Sequence, residues 1–285
     1  MKLGINLSFA IKRWQEPDVW ARLVRETLGL RLVQFTYDLL DPFSPETLRR
    51  ILAAKVRQAA RDWDLEIESA FSGLAGYCSS GLLHPERAAR RVALEWWKRS
   101  VETAAEIGAS AAGGALGAMS VAAAADPARR NDLYREMLDA VEEISRVAGA
   151  HGLERLLIEA TPVPREIPWS IEQAARLMTD LNARCAVPVQ SLIDVGHALY
   201  QPLYGPQAGQ AEWLGGLGPH SGGRFDLAAF AAQVRAAGLA DCPAYLEVFY
   251  PFEMADDAVL ANVASSVLHC RREYGREALP TSGTG

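Results

Sequence analysis

The chain has 285 residues, 49% of them apolar, enough to bury the core of one large α/β domain. Its formal charge of −6 is spread along the sequence with no basic block, which argues against nucleic acid or an anionic membrane surface as the main partner and leaves small neutral or metal-bridged ligands. The four cysteines, Cys78, Cys185, Cys242 and Cys270, lie far apart without a CxxC pair, so neither a structural zinc nor a disulfide framework is indicated, and they read as reduced, mostly packing residues.

The opening MKLGINLSF goes straight into a short strand pattern, with no charged segment leading into a long apolar stretch. No apolar run approaches the ~18 residues of a membrane span, so a cytoplasmic protein is expected. From there, short apolar runs alternate with long amphipathic stretches, the pattern of repeated βα units around a parallel sheet. Strands are predicted at 3–8, 32–37, 66–71, 109–113, 156–160, 189–194 and 244–249. Helices are predicted at 18–28, 45–63, 85–107, 127–150, 171–181, 227–237 and 257–274. Several of them start with a capping or first-turn residue, as at Ser44-Pro45, Asp126-Pro127 and Ser170.

Seven strands are one short of a closed (β/α)8 TIM barrel, the architecture that fits best. The shortfall has a location. From Asp194 to Glu247 the chain takes 53 residues, whereas the single βα step from Glu159 to Asp194 already takes 35. The stretch WLGGLGPHSGGRF, residues 213–225, is where the seventh strand is due after a short predicted helix at 212–217, yet it holds chiefly Gly, Pro and polar residues. A barrel without that strand would expose two sheet edges and lose the shear that closes it. A segment is therefore expected to be missing between about Gly218 and Gly223, either skipped by the numbering or lost from a shortened chain. Skipped residues would leave consecutive Cα atoms there well over ~3.8 Å apart. Residues 1–280 are expected to form one barrel domain and 281–285 a disordered tail.

Three acids end apolar runs: Glu159 closes LLIE, Asp194 closes SLID and Glu247 closes AYLE. In a barrel, such strand ends and the loops after them converge on one mouth, and His197 falls there too. Carboxylate oxygens plus an imidazole, with room left for substrate oxygens, suit Mn²⁺, Mg²⁺ or Co²⁺, and Zn²⁺ is compatible. The bland alternative for any one acid is a helix cap or a loop salt bridge. Three together weaken it, because like charges in one mouth repel unless a cation joins them.

The segments IEATP (Glu159), IDVGH (Asp194 and His197) and LEVFYPFE (Glu247), with GINLSF at 4–9 and LLHP at 82–85, carry a resemblance over nearly the whole chain. It is to the xylose-isomerase-like sugar phosphate isomerase/epimerase superfamily, near the ketose 3-epimerases. The resemblance implies a metal held by Glu159, Asp194 and Glu247, with His197 hydrogen-bonding substrate. A fourth ligand, a strand-seven histidine, has no clear match; His220 is the imidazole nearest to that position. The implied chemistry is enediolate proton transfer: the cation acidifies the proton next to the ketose carbonyl, and Glu159 and Glu247 act as an acid/base pair on opposite faces. Return of the proton to the same carbon gives an epimer, and to the adjacent carbon an aldose.

Glu166, in TPVPREIPW, is a further substrate contact by resemblance, against the alternative of a solvated loop charge. Arg165 and Arg224 are candidates for a substrate phosphate, against ordinary surface arginines. Gly113-Gly114 reads as a close approach of backbone to ligand or as a tight βα turn. Trp14, Phe71 and Trp169 are expected to wall the mouth, and Trp96 and Trp97 to pack outside the barrel. The local wording NLSFAIKRW, LLDPF and GHALYQPLYGP leans toward handlers of tetrulose or similar ketose phosphates. The implied ligand is thus a sugar or sugar phosphate, with a homodimer or homotetramer as the implied assembly. Other readings are an inosose-dehydratase-like lyase, a hydroxypyruvate-isomerase-like enzyme, an abasic-site endonuclease on the same barrel and a metal-free binding homologue. Five histidines and a negative charge count against the nuclease.

Overall fold

The structure, a computed structural model, describes residues 2–200 and 226–275. Its strands are β1 (Lys2–Asn6), β2 (Leu32–Thr36), β3 (Glu66–Phe71), β4 (Ala111–Gly114), β5 (Arg155–Ala160), β6 (Val189–Ile193) and β7 (Pro243–Leu246). All pair in parallel in the order β6-β5-β4-β3-β2-β1-β7, so successive strands are neighbours and the last returns to the first. With the helices described next, this is the TIM barrel predicted from the alternating pattern. Among the described residues β6 and β7 are the edges of the sheet. The stretch between them that should close it, 213–225, lies outside the described residues, as do the omission expected between Gly218 and Gly223 and the tail expected at 281–285.

The helices are α1 (Pro17–Arg22), α2 (Glu46–Asp62), α3 (Gly73–Ser79), α4 (Arg87–Ile107), α5 (Val121–Ala125), α6 (Pro127–Ala150), α7 (Ile171–Asn182), α8 (Val195–Tyr200), α9 (Leu227–Ala236) and α10 (Asp256–Gly275). Two of the expected caps close as predicted: Asp126 accepts from the Ala128 and Arg129 amides, and Ser170 from Gln173. At α2 the cap position belongs to Pro45 instead of Ser44, with no side-chain bond. The expected helix 18–28 divides into α1 and a π turn, Leu23–Thr27. Strand β1 stops at Asn6, whose side chain accepts from the Ser8 amide and starts a 3-10 turn, Leu7–Ala10. None of α3, α5 and α8 was foreseen: each is too short to show a helical period.

Alternate strand residues such as Ile5, Val33, Ile67 and Ile158 are buried and pack into the apolar core. Trp96 and Trp97 lie there as predicted, edge-on to each other at 5.3 Å, with Tyr37 edge-on to Trp96 at 5.6 Å. The opposite, concave face carries polar side chains. Asn6 donates to Gln34 at 2.7 Å and Gln34 to Ser69 at 3.1 Å, while Glu68 accepts from Tyr245 at 2.5 Å and pairs with Arg155. These bonds join β1 to β2 to β3, and β3 to β5 and β7 across the interior, giving the site a rigid polar floor.

Two expectations are corrected. A Cβ on Gly113 would stand 2.1 Å from the Leu157 carbonyl oxygen, and one on Gly114, at φ +151°, 2.2 Å from Ser72 Oγ. The glycine pair is therefore required for β4 to pack between its neighbours, and it lies in the strand, not in a βα turn. Gly113→Ala is expected to destabilise the fold by about 1–3 kcal/mol or more, read as a lower denaturant midpoint. Of the cysteines, Cys270 is buried and Cys185 half-buried, but Cys78 and Cys242 are exposed, so packing explains only the first two. No described helix is long and apolar enough to cross a membrane.

Candidate active site

Glu159 lies near the end of β5, one residue past the outward-packed Ile158, and so projects into the barrel mouth, where it is 7% exposed. Asp194 follows β6 directly. Its Oδ1 accepts from the Gly196 amide at 2.6 Å and the His197 amide at 3.3 Å, capping α8. The helix-cap alternative is thus realised for Asp194, and it does not compete with a site role, because the cap turns His197 back over the strand ends. His197 Nε2 lies 3.4 Å from Asp194 Oδ2, and Nδ1 lies 3.3 Å from both Glu159 Oε1 and the Ala160 carbonyl oxygen. One ligating atom from each of Glu159, Asp194 and His197 falls within 4.8 Å of the others. The sequence reading gave His197 to substrate; here it stands among the prospective metal donors.

Glu247 lies one residue beyond β7. Its position is set from β1: the strands pair from Lys2 to Ile5, and Ser8 Oγ donates to the Val248 carbonyl at 2.9 Å. The loop that follows is clamped by Arg13, which donates to the Pro251 and Met254 carbonyls. Burial, followed by the charges of Asp194 and Asp38, pushes the Glu247 carboxyl up to about 7. Burial, followed by Glu247, Asp194 and Glu166, holds the Glu159 carboxyl well above the ordinary range. Among the described residues, the charges acting on these two acids are all carboxylates. Such a set is disfavoured as anions unless a cation lies between them, and hard oxygens with one imidazole are the donors a divalent ion takes.

Glu166 is buried, 4% exposed, which overturns the solvated-loop alternative. Tyr77 donates to its Oε1 at 2.6 Å, and its Oε2 has no hydrogen-bond partner among the described residues. Arg165 is exposed, Phe71 buried, and Trp14 and Trp169 half-buried, Trp14 lying 5.8 Å from Phe9. His220 and Arg224 lie outside the described residues. Sequence reasoning missed Tyr77, hidden in the loop-like GLAGYCS, and Asp38. The strand-end criterion that found Glu247 applies to Asp38 as well, two residues past β2.

The family described as "Xylose isomerase-like TIM barrel" matches residues 22–261. A solved structure from Rhodospirillum rubrum ATCC 11170, provisionally described as a xylose isomerase, is 36% identical, covers 95% of this chain and 99% of its own, and has a TM-score of 0.87. Among curated proteins, D-erythrulose 1-phosphate 3-epimerase of Brucella abortus (strain 2308) is 26% identical over 199 residues, 69% of this chain. That match spans 64% of the relative, under two thirds of its length. D-psicose 3-epimerase from Clostridium cellulolyticum H10, solved with D-tagatose, shares the fold at 14% identity and a TM-score of 0.69, with 96% of this chain and 99% of the other covered.

Proposed function

The chain belongs to the xylose isomerase-like TIM barrel family, and from that premise we propose that it is a divalent-metal-dependent epimerase or isomerase of a ketose or ketose phosphate. The observation that carries this reading is the gathering of Glu159, Asp194 and His197 donor atoms within 4.8 Å beside Glu247, in a mouth whose acids are otherwise mutually repelling. The name of the Brucella relative supports a short ketose phosphate as substrate, and exposed Arg165 is a described cation for its phosphate.

Glu159, Asp194 and His197 would hold the cation, with Glu247 completing the set. When bound, Mn²⁺, Mg²⁺ or Co²⁺ would polarise the ketose carbonyl and stabilise negative charge on its oxygen. Glu247 is the candidate general base: it follows β7 at the mouth, and without a cation burial and the Asp194 and Asp38 charges raise its carboxyl above the ordinary range. Glu159, on a strand across the mouth, is the partner that serves the other face. The polar floor below, through Glu68, ties β3 to β5 and β7, the strands that carry the two carboxylates at their ends.

The test is exchange of the ketose C3 proton with solvent deuterium, followed by NMR on chelated and cation-reloaded protein. Exchange is expected with a divalent cation and none without it. Silence across ketoses and their phosphates with Mn²⁺, Mg²⁺, Co²⁺ and Zn²⁺ would overturn the reading.

A further inference from the structure

Glu68 is a buried acid that the proposed chemistry does not use. It is 6% exposed and sits at an irregularity of β3: Val33 of β2 pairs with Ile67 and Gln34 with Ser69, so Glu68 is the extra residue of a bulge. A bulge re-aims a side chain. The Glu68 carbonyl accepts from the Ser110 amide at 3.2 Å and hydroxyl at 2.9 Å, while the carboxylate crosses the barrel interior. Its Oε1 pairs with Arg155 of β5, and its Oε2 accepts from the Tyr245 hydroxyl of β7 at 2.5 Å. Small residues clear both paths. A Cβ on Gly4 of β1 would stand 2.8 Å from the Tyr245 ring, and Ala111, paired with Ser69 on one side and Arg155 on the other, puts only a methyl between β3 and β5.

Side chains alternate across a strand, so residues two or four apart share a face. Arg155 therefore faces the interior below Glu159, and Tyr245 below Glu247. Asp194 and His197 follow β6, which pairs with β5 from Leu156 to Ala160, so the other prospective donors move with Glu159. Glu247 arrives on β7. Among the described residues the sheet joins β7 to β5 only by way of β1, β2, β3 and β4. Small shifts at each pairing add up along that path, and the Tyr245–Glu68–Arg155 link bypasses it. A buried ion pair adds little net stability over apolar packing of the same volume; what it supplies here is a fixed geometry. We propose that Tyr245 is a positioning residue: through Glu68 and Arg155 its hydroxyl sets where β7 stands relative to β5, and so the separation of Glu247 from the Glu159, Asp194 and His197 donors. This rests on the metal site proposed above and adds to it a residue that sets its dimensions without touching cation or substrate.

Tyr245→Phe keeps the ring over Gly4 and removes the hydroxyl. The paired variant Glu68→Gln/Arg155→Met breaks the other arm without leaving a lone buried charge. Both, and the triple variant, are melted in EDTA, titrated calorimetrically with Mn²⁺ and assayed on the ketose that exchanges. Each is expected to bind Mn²⁺ ~10-fold more weakly while folded, the size of one lost hydrogen bond to a charged group. The triple variant should bind no more weakly than the paired one, since all break the same link. At saturating Mn²⁺, kcat is expected to fall ~10-fold with KM within ~3-fold, because a misplaced carboxylate costs rate more than ground-state binding. A merely structural link would lower the melting temperature and leave the Mn²⁺ affinity of the folded chain as in wild type. Affinity of Tyr245→Phe within ~2-fold of wild type, or losses that add in the triple variant, would overturn the proposal. The affinities need no substrate, so absent exchange in wild type counts against the isomerase reading while the role of Tyr245 is still decided. Wild type that binds no Mn²⁺ would overturn the metal site itself and the proposal with it.

Discussion

Glu247→Gln is expected to slow exchange of the ketose C3 proton by ~10³-fold or more, within the range that general-base removal costs. The substitution keeps the shape of the side chain and removes its ability to accept a proton. Glu247 is the acid whose carboxyl is held at about 7, through burial and the neighbouring Asp194 and Asp38 charges. An ordinary exposed glutamate would be a weaker base by more than two decades of proton affinity at the same pH. Glu159 sits deeper and shares its ligating oxygen with the Asp194 and His197 cluster, so its replacement would also disturb cation binding. Glu247→Gln also removes one proposed donor, so its exchange rate is read at saturating cation. Exchange in the variant within ~10-fold of wild type, with the cation still bound, would remove Glu247 from the proton-transfer role.

The strand ends were legible because the apolar runs of a parallel barrel stop where the mouth begins, so an acid closing such a run has its direction fixed by the fold. That argument found Glu159, Asp194 and Glu247. It did not find how they are set against one another. His197 stands beside Glu159 because Asp194 caps α8 and turns the helix start back toward β5, a tertiary consequence that a three-residue spacing does not display. Tyr77 was illegible for a similar reason: GLAGYCS has no helical period, and α3 exists because a carboxylate 36 residues upstream in sequence takes its first amides. Gly113 was noticed, but its meaning lay in the Leu157 carbonyl pressed against it from the adjacent strand. The same close packing explains why the glycine-rich AAGG forms a strand at all, since propensity alone disfavours it.

The crowding that gives Glu247 its basicity should also be visible as lost stability. In chelator, wild type below pH ~4.5 carries this carboxyl protonated in both folded and unfolded chains, and it contributes no difference. As pH rises toward 7 the unfolded chain releases the proton freely, whereas the folded chain keeps it or buries an anion beside Asp194. Stability is therefore lost on the way up, by about 3 kcal/mol once pH exceeds the folded value of about 7. Glu247→Gln escapes this loss, and it also relieves Glu159, whose carboxyl Glu247 helps to raise. The variant should melt together with wild type near pH 4.5 and above it by ~6–10 °C near pH 8, measured by calorimetry in EDTA. Saturating Mn²⁺ at pH 8 should reverse the order, because a ligand that binds only the folded chain stabilises it in proportion to affinity, and the wild-type mouth offers the fuller donor set. Equal melting temperatures at pH 8 in EDTA would mean that the Glu247 carboxylate is not confined with its neighbours, and the explanation of its basicity would fail with it. A variant that is inactive yet more stable without metal is what a site built from repelling carboxylates requires.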